Sequence, residues 1–318
     1  MKHPVISVIC VLYNAEQTLT RCLDSILNQS FQGIELIIVN DGSTDGSASI
    51  CDNYSKRYDR IKVIHTPNQG VGKARQIGRE ATSGEYFIYV DSDDWIESEA
   101  LQLLYQSCLE NKSKIAICDY RYITKNSEEI ISQKPKCLNS QGLINEILEG
   151  SLLGGVCNKL ISIETLESKG IKFSTGVNYC EDVLFLAEIC TKNKFNISHV
   201  SKAVYNYDKS LCSSITSGSF TKQKYLSYIK FINELRLLIP NLVDSVNIQI
   251  LRDLVIKTFS NKILTRKEFY RDFNKEMNYL KVMNINKLFK SLILVSAKGF
   301  YPEAYAIYRS YLKMREFI

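Results

Sequence analysis

The sequence places none of its ten cysteines at C-x-x-C spacing. They fall singly, at positions such as Cys10, Cys22, Cys51 and Cys108, which argues against a zinc site and for reduced thiols used as small apolar side chains. Histidine is scarce, and His3, His65 and His199 are scattered without ligand spacing, so neither a histidine metal centre nor a histidine acid–base pair is expected. No apolar run is long enough to cross a bilayer, and Met1-Lys2-His3-Pro4 leads directly into a strand-like segment with no n-region or cleavage site. A cytoplasmic protein is therefore expected, neither secreted nor transmembrane. Repeats and low-complexity tracts are missing too, and 318 residues at 45% apolar composition suffice for a full core.

Charge is unevenly spread. Residues 1–201 carry 20 basic and 25 acidic side chains and residues 202–318 carry 20 and 9, so −5 and +11 make up the net +6. That split fits an acidic catalytic head with a basic segment facing an anionic surface, and it fits equally well a solvated helical face.

Val5–Leu12, Leu36–Val39, Ile61–Ile64, Phe87–Val90 and Ile115–Cys118 are apolar runs that read as buried parallel strands. Between the first two, Leu19, Cys22, Leu23, Ile26 and Leu27 recur at helical spacing, with Asn14 as the expected cap. Amphipathic stretches at 45–57, 71–82 and 98–111 alternate with the later strands. This alternation predicts a doubly wound α/β sheet with its ligand at the carboxyl ends of the strands. The Gly- and Asp-containing loops Asn40–Gly46 and Asn68–Gly72 are expected at that edge. After residue 120 the pattern turns irregular, apart from a helix near 140–149. Beyond Thr221, runs such as Ile248–Leu264 and Leu280–Val295 read as helices.

The most informative residues are Asp91-Ser92-Asp93-Asp94, at the end of the apolar run Tyr86–Val90. Three carboxylates crowded at a strand end repel one another unless a cation neutralises them, and an oxygen-seeking divalent ion is the natural partner. Further strings accompany the quartet: Ser7–Asn14, Asn40–Asp45, Asn68-Gln69-Gly70 with Ala74-Arg75, Asn158-Lys159-Leu160, and Glu181-Asp182 followed by Val183-Leu184-Phe185.

In that order and spacing, over residues 4–210, these strings resemble the inverting glycosyltransferases of family two. The resemblance implies a GT-A fold, Rossmann-like with a mostly parallel sheet flanked by helices, over residues 1–215, and a helical, basic C-terminal region over 216–318. It implies transfer of one sugar from a UDP-sugar to a hydroxyl of a glycan or lipid-linked oligosaccharide, as in cell-surface polysaccharide synthesis. Tyr13 matches the base-stacking position, beside Val11, and Asp41 the acceptor of the uracil imide proton, although Asn40 stands where relatives usually carry a second Asp. Asp91 and Asp93 match the Asp-x-Asp motif. Asp93 is the expected ligand of Mg²⁺ or Mn²⁺, Asp91 its partner, and Ser92 lies near the ribose. Arg75, with Lys73 nearby, would hold phosphate oxygens or brace the carboxylates. Asp182 matches the general base, with Glu181 as its orienter. Trp95, Asp94 and Lys159 are candidate sugar or acceptor contacts. Tyr205-Asn206-Tyr207-Asp208, followed by Ser214-Ile215, lacks an Arg that relatives carry, and Lys209 is the neighbouring cation.

Two further readings are a sugar-1-phosphate nucleotidyltransferase, disfavoured because Tyr13-Asn14 replaces a Gly-rich basic loop, and a non-catalytic nucleotide-sugar binder. Nucleic acid is not expected as a partner, because the basic helices carry no aromatic platform or reading motif. The basic C-terminal region is expected to rest on the anionic cytoplasmic membrane leaflet, to contact acceptor, or to form a homodimer.

Overall fold

The apolar runs become strands, most of them buried on both faces as a helix-covered parallel sheet requires, while Ile61–Ile64 at the end of the sheet order is only partly buried. The computed structural model describes residues 3–167, 169–210, 220–241, 244–274 and 287–315. Strands β1 (Ile6–Leu12), β2 (Ile34–Asp41), β3 (Ile61–Thr66) and β4 (Tyr86–Tyr89) pair in parallel in the order β3-β2-β1-β4. Leu12 lies beside Asn40 and Asp41 beside Thr66, so these strands end along one edge. Because β1 has β2 on one side and β4 on the other, the winding reverses at its carboxyl end, where open α/β sheets form their crevice.

Helices α1 (Leu19–Leu27), α2 (Ser47–Arg57), α3 (Val71–Glu80) and α4 (Ala100–Glu110) follow the expected segments. Helix α1 buries the five apolar residues picked out by their spacing. Its cap is a correction: Thr18 holds the N-cap position, and Asn14 stands in the left-handed region at φ 51°. Asn tolerates that conformation, and its side chain accepts the Thr44 N–H at 2.8 Å, tying the exit of β1 to the loop after β2.

The second half of the sheet is more regular than its sequence indicates. β5 (Trp95–Ile96), β6 (Ile115–Ile123), β7 (Glu128–Ile131), β8 (Lys159–Ser162) and β9 (Ile197–Asp208) continue the order as β4-β8-β6-β9-β5, with β7 paired to β6. β8 runs antiparallel to β4 and β6, whereas β9 is parallel to β6. The sheet is therefore mixed, with most paired residues in parallel register. Helix α5 (Ser140–Leu148) is capped by Asn139, whose side chain accepts the Gly142 N–H at 2.8 Å. Helices α6 (Glu164–Glu167) and α7 (Glu181–Lys192) complete the region.

The chain divides into two compact units, Met1–Gly218 and Ser219–Ile318. The second is helical: α8 (Lys222–Leu238), α9 (Asp244–Ser260), α10 (Arg266–Phe273), α11 (Lys287–Val295), a π-helical turn Ser296–Phe300, and α12 (Tyr301–Arg315). Phe259, Phe269, Phe273 and Tyr301 form its aromatic interior, and Thr265 and Glu268 close a capping box on α10. The helix expected over Ile248–Leu264 ends at Ser260, and residues 280–286 of the other expected run lie outside the described residues. No helix among the described residues is long and apolar enough to cross a membrane.

Helix α3 carries a site residue and is pressed onto β1. A Cβ at Gly78 would stand 2.4 Å from Cγ2 of fully buried Ile9. Gly78→Ala is expected to cost about 1–3 kcal/mol through overpacking. The urea midpoint of the purified variant measures this, and an unchanged midpoint would show that the helix can shift freely.

Candidate active site

One buried cation gathers the acidic residues. Arg75, 5% exposed, projects from α3 one turn before Gly78. Its Nη1 donates to Glu181 Oε1 at 2.6 Å and to Asp182 Oδ1 at 2.5 Å, and its Nη2 donates to Asp91 Oδ1 at 3.1 Å. The guanidinium faces the Tyr89 ring at 5.9 Å, while the Tyr89 hydroxyl donates to the Arg75 carbonyl. The sequence alone left Arg75 either holding phosphate or bracing carboxylates, and here it braces them. Lys73 is exposed.

These groups line a cavity of about 730 Å³, within the size range of ligand sites. Val11, Tyr13, Asp41, Arg75, Asp91, Ser92, Asp93, Glu181 and Asp182 all contribute to its wall, so most of the strings quoted from the sequence meet there, Asn158-Lys159-Leu160 excepted. Tyr13, at the mouth of β1, is 51% exposed and offers a ring face. Asp41 is more committed than its sequence indicates: Oδ1 accepts from the Gln69 N–H (2.9 Å) and Thr66 hydroxyl (3.2 Å), and Oδ2 accepts from the Gly70 N–H (2.8 Å). It therefore anchors the loop leading into α3 and keeps one acceptor position on Oδ2. Asn40 accepts the Ser43 N–H and bonds His65, organising the adjoining loop.

The four residues of the acidic quartet are not equivalent. Asp94 is fully buried, with Oδ2 accepting from the Tyr205 hydroxyl at 2.6 Å and Oδ1 from the Asp208 N–H at 2.9 Å. Burial, reinforced by Asp91 and Asp93, pushes its carboxyl well above the usual range. Asp94 is thus a structural group, a correction to its assignment as a sugar or acceptor contact. Asp93 is also raised, first by burial and then by Asp91.

Asp91, Asp94 and Cys157 bring ligand atoms within 4.8 Å of one another. That trio suits a hard cation poorly, because Asp94 is already bonded on both oxygens and burial holds the Cys157 thiol protonated. Asp91 and Asp93 fit better. Both line the cavity, both offer oxygen, and the raised carboxyl of Asp93 is the strain that a divalent cation relieves.

On the opposite wall, Glu181 and Asp182 open α7, where carboxylates meet the positive end of the helix. Cys180, immediately before them, adopts φ 64°, an uncommon left-handed conformation for a side-chain-bearing residue. The Asp182 side chain is 17% exposed. Burial raises its carboxyl to about 7 against the opposing pull of Arg75, with Glu181 and Asp91 adding to the rise.

Two other expected contacts are corrected. Lys159 is fully buried, and its ammonium spends its three protons on Leu153 O (2.8 Å), Gly155 O (2.7 Å) and Asn158 Oδ1 (2.8 Å). No donor is left for phosphate, acceptor or an acidic partner. Trp95 does not line the cavity. It stacks beneath Arg21, whose guanidinium lies 3.9 Å from the ring centre.

Arg21 itself escaped the sequence reading, since nothing on an amphipathic helix marks one arginine. It donates to the Asp93 carbonyl at 2.6 Å and to Asp208 Oδ2 at 2.8 Å, holding the quartet's loop against β9. Tyr205 was legible only as part of a motif, yet its hydroxyl bonds both Asp94 and the Asp91 N–H. Lys209 lines the cavity with Tyr207, its ammonium 4.2 Å from that ring, while Ser214-Ile215 lies outside the described residues.

Removing Arg75 leaves buried carboxylates without their cation, a loss of about 3–5 kcal/mol. In Arg75→Met the Asp182 pKa rises further above its unfolded value. The native state then binds more protons than the unfolded chain, and stability falls as pH rises through that window. The melting-temperature deficit of Arg75→Met should therefore be larger at pH 7.5 than at pH 5.5. A deficit independent of pH would place the stabilisation elsewhere.

Residues 7–173 match the family described as Glycosyl transferase family 2. EpsH of Bacillus subtilis (strain 168) is 33% identical over 215 residues, which cover 65% of this chain and 61% of that protein. The chain thus spans less than two thirds of EpsH. S. aureus TarS 1-349, solved in complex with UDP-GlcNAc, superposes with a TM-score of 0.68 at 22% identity, covering 97% of this chain and 92% of that one. Mannosyltransferase PcManGT from Pyrobaculum calidifontis, in complex with GDP-Man and Mn²⁺, gives a TM-score of 0.53 at 14% identity, covering 96% of this chain and 87% of that one. With more than half of its residues within the family match, the chain belongs to glycosyl transferase family 2.

Proposed function

We propose that the chain transfers one sugar from a UDP-sugar to a hydroxyl group of a glycan or lipid-linked acceptor, with inversion at the anomeric carbon. The observation that carries this reading is the single cavity in which Asp91 and Asp93 face Asp182, with Arg75 bonded to both sides. Family membership supports the reaction class, and the UDP-GlcNAc and UDP complexes of TarS support a uridine donor. The Mn²⁺ complex of PcManGT supports a divalent cation.

Tyr13 offers its half-exposed ring to the base, beside Val11, and the remaining acceptor position of Asp41 receives a base N–H. Ser92 stands near the ribose. Asp91 and Asp93 are the residues that would hold Mg²⁺ or Mn²⁺, which supplies positive charge against the departing diphosphate. Lys209 adds a cation on the same wall. Asp182 receives the acceptor hydroxyl proton as that oxygen attacks in line, and Glu181 shares the Arg75 Nη1 that orients it. One displacement inverts the centre, so no covalent intermediate is needed. The first unit carries this chemistry. The basic second unit serves acceptor approach, through the anionic cytoplasmic leaflet to which a lipid-linked acceptor is anchored.

Asp182→Asn should lower turnover by about 10²- to 10⁴-fold while UDP binding is retained. Because the base acts in its ionised form and its carboxyl titrates near 7, wild-type kcat should rise through about pH 7 and then level off. A profile flat between pH 5 and 8 would remove Asp182 from the role. A thermal-shift comparison of UDP- and GDP-sugars, each with and without Mn²⁺, tests the donor. Stabilisation by the UDP-sugar with Mn²⁺ is expected, and equal stabilisation by GDP would overturn the uridine assignment.

A further inference from the structure

Lys159 belongs to the string Asn158-Lys159-Leu160, to which neither donor binding nor proton transfer assigns a task. It is a cation fully buried at the start of β8, which is costly unless every proton is used. The three acceptors it meets are specific in position. Leu153 O and Gly155 O belong to one turn and Asn158 Oδ1 closes it, so the ammonium sits inside the curve of residues 153–158. Asn158 is itself locked to β6, its Nδ2 donating to Cys118 O at 2.9 Å while the Cys118 N–H donates to Asn158 O at 3.2 Å.

The turn built around Lys159 leads directly to the base. Leu153, Gly154, Gly155 and Cys157 line the cavity. A Cβ at Gly155 would stand 3.8 Å from Asp182 Oδ2, and the backbone N–H of Val156, in the same turn, favours the ionised form of that carboxyl. Gln133 supports the same turn from its other end, its Oε1 accepting the Leu153 N–H at 2.7 Å.

We propose that Lys159 is a positioning residue for the base: by holding the 153–158 turn through its three carbonyl acceptors, it keeps that turn, and with it the Val156 backbone, against Asp182. The inference rests on the reading of Asp182 as the base, and it adds a group that never touches substrate. Burial lowers the Lys159 ammonium to about 8, so it still carries its third proton at neutral pH. The charged and titratable groups that interact with Asp182 include Arg75 from α3, Glu181 from its own helix, Tyr89 of β4, Asp91 beyond it, Cys157 before β8 and Lys159 in β8. Of these, Lys159 also sets the backbone donor in place. Losing that donor and the nearby positive charge both disfavour the carboxylate, so the Asp182 pKa moves upward.

The test uses Lys159→Met and, because an emptied ammonium pocket can impair folding, Gln133→Leu, which loosens the same turn without touching the charge. In Lys159→Met, kcat should fall by about 10- to 100-fold, the misplacement penalty for a reacting group. UDP affinity should stay within about twofold, and the acidic limb of the kcat–pH profile should move up by about one pH unit. Gln133→Leu should shift the limb in the same direction by a smaller amount. Hydrogen exchange provides a readout that does not depend on turnover: the Val156 amide should lose protection in both variants while β1 and β2 amides keep theirs. An unshifted pH limb in both variants would overturn the proposal, as would a protected Val156 amide in Lys159→Met. Absence of transfer by wild-type protein would instead refute the proposed function, leaving the exchange result to decide the role of Lys159.

Discussion

A guanidinium held between two walls of carboxylates is the constraint around which the catalytic unit is organised. Asp91 ends the Tyr86–Val90 run, and Glu181 and Asp182 begin a helix some 90 residues later in the chain, yet all three reach Arg75. Burying one cation among three anions is tolerable only if its donors are aimed with little error. The surrounding structure supplies that aim. Gly78 seats α3 on Ile9, Asp41 fixes the loop before the helix, and Tyr89 holds the backbone at Arg75 itself.

The same constraint explains why the acidic quartet is unequal. Asp94 is drawn inward by Tyr205 and Asp208 and becomes part of the scaffold. Arg21 clasps the loop from outside through the Asp93 carbonyl, leaving the Asp93 side chain on the cavity wall. Asp91 gives one oxygen to Arg75, which also holds Asp182. In the proposed mechanism, the group beside the departing diphosphate and the proposed base would therefore be joined through Arg75.

Much of this was legible in the sequence where local chemistry is repetitive. Parallel strands announce themselves as β-branched runs, and α1 as five apolar residues at helical spacing, so β1 to β4 and their helices emerged to within about two residues at each end. Most of the motif residues also line one cavity, whereas Asp94, Trp95 and Lys159 do not. What escaped were features decided by tertiary pairing. β9 mixes Ser198, His199, Ser201 and Lys202 with apolar residues, and becomes a strand because β5 and β6 flank it. Lys159, a candidate sugar or acceptor contact by its motif, turns out to be an internal brace, since no local pattern reveals three carbonyls converging on one point. Trp95 was drawn toward the site by its neighbours in sequence, whereas stacking with Arg21 takes it out of the cavity.

The central claim is that Arg75 and Asp182 act as one energetic unit. A double-mutant cycle measures that directly, using the urea unfolding free energies of wild type, Arg75→Met, Asp182→Asn and the double variant at pH 7.5. The account predicts a coupling of about 1.5 kcal/mol or more, because each substitution removes the partner that makes the other group costly to bury. Effects that add within about 0.5 kcal/mol would contradict it, since independent sites behave that way.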